Sequence, residues 1–208
     1  MTTMARWEPN ARDRLVDAAI ELFHERGYSR TTVGEIAARA GLTERTFFRY
    51  FTDKREVLFG RSGELEQVVA DGIGHAPDEI APLDAVVSAL EAVAAHFPPR
   101  RDYRARRSLI AAHPELQERE LIKLAGLASA IEASLRKRGV ADSAAQLTAE
   151  AGLAIFKVAF ERWVRESKAG DLPHYIRTAL DDLKTVAGAA PRTTARRVSS
   201  RPARRRSN

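Results

Sequence analysis

The chain predicts an all-α protein, and two observations carry that expectation. Apolar residues recur at three- and four-residue intervals through most of its length. No stretch alternates apolar and polar residues for long enough to make a strand, and no Asn-Gly hairpin signal occurs. No segment repeats at a fixed period. The 208 residues, 44% hydrophobic and 30% charged, suit one large globular domain or a small domain joined to a larger one.

The first helix is predicted from about Ala11 to Arg26. Asn10 caps it, Asp13 lies in the first turn where negative charge is favoured, and Gly27 stops it. Leu15, Val16, Ala19, Ile20, Leu22 and Phe23 form its buried stripe. A short helix follows Thr32, whose partner three residues on is Glu35, a capping box. Val33, Ile36, Ala37 and Ala40 make its apolar face, and Gly41 ends it. Thr43 caps the next helix, with Phe47, Tyr50 and Phe51 facing inward. Asp53 and Glu56 predict another capping box, opening a fourth helix through Val57 and Leu58.

Gly72-Ile-Gly-His-Ala-Pro77 marks a break. Helices are then expected over 82–97, 101–112 and 114–138, with Pro98-Pro99 between the first two. Pro114 either starts the third or kinks a longer helix, and Gly139 closes it. A long helix over Asp142–Glu166 and another from Pro173 to about Val186 complete the body. The predicted organisation is a flexible start over 1–10, a helix-turn-helix domain over 11–58, a helical body over 59–187 and a disordered Arg-rich tail over 188–208.

The formal charge of +6 suggests a nucleic-acid partner, but its distribution weakens that inference. Residues 1–60 carry 10 basic and 9 acidic side chains, residues 61–187 carry 17 and 19, and residues 188–208 carry 7 arginines and no acid. The tail supplies the whole excess, so a claim of DNA binding rests on local pattern. No apolar run approaches the roughly 18 residues of a membrane span. Met1–Asn10 has no apolar core of a secretory signal, so a cytoplasmic location is expected. With no cysteine there is no disulfide, thiolate metal site or thiol nucleophile.

The two short helices joined by Gly41-Leu42-Thr43 have helix-turn-helix dimensions. Gly41 lets the chain leave in a left-handed conformation, Leu42 plugs the angle, and Thr43 restarts the backbone. The start of the second helix is thereby presented outward, where it can enter a major groove. Generic helical hairpins share this spacing. The residues themselves are more specific. Ala18-Ala-Ile-Glu-Leu-Phe-His-Glu-Arg-Gly-Tyr28, Thr31-Thr-Val-Gly-Glu-Ile-Ala-Ala-Arg-Ala-Gly41 and Leu42-Thr-Glu-Arg-Thr-Phe-Phe-Arg-Tyr-Phe-Thr-Asp-Lys54 resemble the TetR (tetracycline-repressor-like) family over about residues 11–60. That resemblance implies a dimeric, ligand-responsive transcription factor, most often a repressor, on double-stranded palindromic DNA.

Chemistry and the resemblance together assign candidate DNA contacts. Thr31 and Thr32 suit a phosphate at a helix start, with capping the alternative for Thr32. Thr43, Glu44, Arg45 and Thr46 occupy the leading turn of the recognition helix. Arg45 matches guanine O6 and N7, with a phosphate as its alternative; Glu44 can accept from cytosine N4 or serve the helix start; Thr46 can meet a thymine methyl. Phe48 stands where the family commonly has a tyrosine with a phosphate-binding hydroxyl, so its contact would be apolar. Arg49 is the candidate replacement for that phosphate bond. Tyr50 lies near the backbone in the family, and Lys54 is a candidate phosphate anchor.

In the body, the resemblance implies dimerisation through 142–166 and 173–187, placing two recognition helices roughly 34–36 Å apart. An unidentified small-molecule effector is expected between 82–97, 101–138 and 142–166. His96, Phe97, Tyr103, His113, Phe156, Phe160 and Trp163 are its candidate lining, with ordinary core packing the alternative. Arg100, Arg104 and Arg107 share a helical face that suits either an anionic ligand or solvent. A ligand is expected to tilt the segment from Asp53 to Gly72 and separate the recognition helices. The tail offers nonspecific phosphate contacts.

No catalytic residues, cofactor or metal are predicted. The five histidines lack ligand spacing, and His24-Glu25 is not followed by a second histidine at position 28, which is Tyr. Gly72-x-Gly74 lacks the third glycine of a dinucleotide loop. The competing classes are a helical protein-interaction adaptor and, further off, a small helical enzyme. Salt-dependent binding to a short palindrome separates them from a regulator.

Overall fold

The computed structural model describes residues 11–60, 62–97, 100–166 and 170–188, with the side chains of 62 and 100–102 excepted. Their regular structure is all helical: α1 Ala11–Arg26, α2 Val33–Arg39, α3 Glu44–Tyr50, a 3-10 turn Glu56–Leu58, α4 Ser62–Gly74, α5 Pro82–Ala94, α6 Arg100–Ala112, α7 Pro114–Lys137, α8 Asp142–Arg165 and α9 Leu172–Gly188. Asn10, the Pro98-Pro99 pair and the arginine tail lie outside the described residues.

Helix ends follow local chemistry. Pro114 occupies the first turn of α7, where its missing N–H costs nothing, and it starts that helix rather than kinking a longer one. At the other end, Gly139 has φ 83°, its N–H reaches Arg136 O at 2.9 Å, and the Val140 N–H reaches Leu135 O at 3.1 Å. Those paired bonds satisfy carbonyls that the helix end would leave open.

Two expected features take a different form. Asp53 Oδ1 does accept the backbone N–H groups of Arg55 (2.7 Å) and Glu56 (3.2 Å), but only one 3-10 turn follows, and the helix restarts at Ser62. The Glu56 side chain does not return to Asp53. It pairs with Arg119 and Lys123 of α7. The predicted break at Gly72 is also displaced, because α4 runs through Gly74. A Cβ at Gly72 would lie 3.0 Å from the Ala89 Cβ, so that glycine allows α4 and α5 to approach closely.

Two apolar cores result. The larger joins α4, α5, α7, α8 and α9 around Val69, Ile73, Leu90, Ile131, Leu135, Ala159 and Ile176. The smaller joins α1, α2 and α3 through Leu15, Leu22, Phe23, Ile36 and Phe47. It is closed by Leu109, Ile110 and Leu116, from the corner where α6 meets α7. The small helical head therefore shares its core with the body, and α6 touches both cores: Tyr103 packs on the larger and Ile110 on the smaller.

Candidate nucleic-acid interface

The helix-turn-helix is locked by its own backbone and by α1. Thr32 accepts from Glu35 N at 3.2 Å while Glu35 Oε2 accepts from Thr32 N at 2.8 Å, a complete capping box. The backbone N–H and the hydroxyl of Thr32 both donate to the Glu35 carboxylate and hold it below its ordinary range, helped by Arg26. At the far end Gly41, at φ 66°, donates to Ala38 O at 3.0 Å and Leu42 donates to Ala37 O at 2.8 Å. That closure sets the angle between α2 and α3. Thr43 then caps α3, accepting from Thr46 N at 3.2 Å.

Arg39 ties α2 to α1 with a two-pronged bond to Glu25 (2.9 and 2.8 Å) and a third to Glu21 (3.2 Å). The hydrogen bond from Arg39 is the main reason the Glu25 carboxyl titrates lower than usual. Arg14 donates to Ala40 O beside the turn. These contacts fix the presentation of α3 before any partner arrives.

Of the candidate DNA residues, Thr43, Glu44, Arg45, Phe48, Arg49 and Tyr50 are exposed, Thr46 is half-buried, and Phe47 is fully buried beneath them. Phe48 presents an aromatic ring with 55% of its surface open. Tyr50 does not face inward as expected. Its hydroxyl accepts from Arg49 Nη2 at 3.0 Å and its ring lies 4.9 Å from that guanidinium, so the two form an outward-facing pair. Phe47 and Phe51, whose rings lie 5.3 Å apart, fill the interior instead.

Two phosphate candidates are placed differently from the expectation. Thr31 is 1% exposed, and its hydroxyl donates toward Gly27 O (3.0 Å) and Leu22 O (3.3 Å), so it closes the α1–α2 turn. Lys54 donates to Tyr28 O (2.8 Å) and Thr31 O (2.9 Å), with its ammonium 4.3 Å above the Tyr28 ring. Burial lowers its pKa, opposed by Glu115. Lys54 is a strap across that turn, leaving one N–H for another acceptor.

The expected effector lining separates into two places. Phe97, Tyr103, Phe156, Phe160 and Trp163 form one aromatic cluster: Phe97 stacks on Tyr103 at 5.3 Å, and Phe160 lies 5.4–5.9 Å from Tyr103, Phe156 and Trp163. A groove of about 240 Å³ beside it is lined by Arg107, Phe160, Glu161, Val164 and Arg165. His96 is exposed, with Nδ1 2.9 Å from Ala92 O, and stands outside the cluster. His113 lies beyond the other end of α6, its ring 4.9 Å from Tyr28, and belongs to the junction with the head.

The arginine face is engaged with protein. Arg104 donates to Val164 O (2.7 Å) and Glu166 O (3.2 Å), capping α8, while Arg107 pairs with Glu120 (2.9 Å) and Glu161 (3.0 Å). The Arg100 side chain lies outside the described residues. Spacing alone did not reveal the junction residues Glu56, Arg106 and Arg119; Arg106 sets its guanidinium 5.1 Å from the Phe59 ring. Among the described residues no cluster of His, Asp or Glu can hold a metal ion, and no helix is long and apolar enough to cross a membrane.

Comparison with known proteins agrees with this geometry. The profile of bacterial regulatory proteins of the tetR family matches residues 15–59, and that of the MftR C-terminal domain matches residues 80–188. The transcriptional regulator TcmR of Streptomyces glaucescens is 37% identical over 82 residues, covering 39% of this chain and 36% of TcmR. MftR of Mycobacterium tuberculosis, assigned to regulation of mycofactocin biosynthesis, is 29% identical over 154 residues, 72% of this chain and 78% of that protein. Among solved structures, the SmeT–triclosan complex superposes with TM-score 0.59 at 22% identity, covering 86% of this chain and 91% of the other. FadR of Bacillus subtilis in complex with stearoyl-CoA gives 0.55 at 19% identity, covering 82% and 96%. One profile lies on the helix-turn-helix and the other spans more than half of the chain, so the protein belongs to the TetR family of bacterial regulatory proteins.

Proposed function

We propose that the protein is a ligand-released repressor that binds a palindromic operator as a homodimer. One observation carries the reading: a pre-locked turn holds Arg45, Phe48 and Arg49 exposed on a helix whose opposite side is buried through Phe47. Guanidinium groups supply base and phosphate bonds, and the Phe48 ring supplies an apolar contact to sugar or thymine methyl. The Arg49–Tyr50 pair presents a phosphate donor in one preset orientation.

The second copy docks on the outer faces of α8 and α9. Leu147 (72% exposed) and Val158 (49%) align with Ala151 and Ala154 on one side of α8, and Val186 of α9 is 75% exposed. Small residues between two larger ones suit close helix packing. The effector enters at the aromatic cluster, whose edge carries Arg165 beside the Arg107–Glu161 ion pair; an apolar or aromatic compound with one anionic group that meets Arg165 fits that chemistry. It acts through α6, which carries Tyr103 at the cluster and Ile110 in the core of the head. The ligand must favour the released arrangement, since equal affinity for both shifts nothing.

The test is selection from a randomised duplex pool at low salt, followed by titration with candidate compounds. The reading expects an enriched palindrome, retention that falls steeply with salt, and release by a compound that also changes Trp163 fluorescence in a Trp7→Phe background. Retention of no duplex overturns it.

A further inference from the structure

Gly34 is the second residue of α2 and Glu44 the first of α3. The turn through Gly41 folds these positions against one another. A Cβ built on Gly34 would lie 2.5 Å from Glu44 Oε1, 3.5 Å from its Cδ and 3.9 Å from its Cγ. The outer half of the Glu44 side chain therefore lies on the bare backbone of Gly34. Backbone conformation does not explain this glycine, since the described glycines with positive φ are Gly27, Gly41, Gly139 and Gly170. Helix propensity does not explain it either, because glycine is the poorest helix former after proline. What it provides is room for a carboxylate.

We infer that Gly34 is a positioning residue for DNA recognition: it seats the Glu44 carboxylate back on α2, out of the groove that Arg45, Phe48 and Arg49 enter. The inference rests on the DNA-binding reading above. An acid in the first turn of α3 favours that helix, but next to phosphates the same charge opposes binding. The seat reconciles the two. A methyl at position 34 takes the carboxylate's space. The clash falls on the far end of a flexible side chain, so Glu44 moves while the helices stay.

The test measures duplex affinity of the full chain, wild type beside Gly34→Ala, Glu44→Gln and the double variant, at low and high salt, with thermal melts to confirm folding. Alanine is the better helix former, so Gly34→Ala should melt no lower than wild type. Gly34→Ala is expected to bind about tenfold more weakly at low salt, a deficit that shrinks as salt screens the repulsion. Glu44→Gln should bind as tightly as wild type or tighter, and the double variant should match Glu44→Gln. Three results overturn the inference: Gly34→Ala binding like wild type, an equal loss in the Glu44→Gln background, or a Glu44→Gln loss confined to one base pair, which makes the seated carboxylate a base reader. A wild-type chain that retains no duplex overturns the DNA-binding reading, and this inference with it, before any variant is compared.

Discussion

The carboxylate of Glu56 is paired with the guanidinium of Arg119, joining the turn behind the recognition helix to α7 of the body. Lys123 Nζ meets its other oxygen at 3.1 Å. The Glu56 side chain is only 12% exposed, so its charge is held by these two cations rather than by water. Arg119→Ala is expected to destabilise the chain by about 3 kcal/mol, because a largely buried carboxylate keeps one of its two partners. Lys123→Ala should cost less, since Arg119 still donates to Glu56. Combining Glu56→Gln with Arg119→Met should recover most of the loss, as a double-mutant cycle of melts would reveal. An Arg119→Ala melt indistinguishable from wild type removes the pair as a structural tie.

Tyr28 gives a pH signature. It is nearly fully buried, and burial pushes its phenol from 10.0 up to about 12, assisted by Glu115. The unfolded chain loses this proton first. The contribution is therefore intact below pH 10 and declines as pH rises from 10 toward 12. Spectrophotometric titration should show a late phenolate that Tyr28→Phe removes, along with part of the alkaline loss of stability.

Gly41 tests the recognition turn itself. At φ 66° a side chain is strained, and a Cβ there would lie 2.8 Å from Arg14 Nη2. Gly41→Ala should cost about 1–2 kcal/mol and weaken DNA binding by tilting α3. Gly63→Ala is a control: a Cβ at Gly63 meets nothing within 4 Å, so DNA binding should be unaffected.

Arg45 and Arg49 should separate base reading from backbone contact. Arg45→Ala is expected to relax preference at one base pair, by about 1–3 kcal/mol. Arg49→Ala should weaken all duplexes alike and reduce the salt slope by about one. Tyr50→Phe should act in the same direction as Arg49→Ala but more weakly, since the hydroxyl only orients the guanidinium. Equal specificity profiles for wild type and Arg45→Ala would leave Arg45 as a phosphate contact.

Local chemistry was legible in the residues alone. The Thr32–Glu35 box, the Gly41 reversal and the Thr43 cap each close within about one helical turn, so neighbouring residue types determine them. The same reasoning placed Pro114 at a possible helix start, and a residue's identity suffices there because the constraint is its own missing N–H. The departures share a different cause. Thr31 carries the same hydroxyl as Thr32, yet one is inside and one outside. Lys54 finds its acceptors 23 and 26 positions earlier, and Glu56 its cation 63 positions later.

Sequence therefore determined the helix-turn-helix and most other helices, though not the bounds of α4, because hydrogen bonds between near neighbours set those. Only the tertiary structure decided which candidates face solvent, that Gly72 admits Ala89 rather than breaking α4, and that His96 and His113 stand outside the aromatic cluster. Desolvation and ion pairing depend on which distant segment arrives beside a group, and one-dimensional spacing carries no record of that arrival.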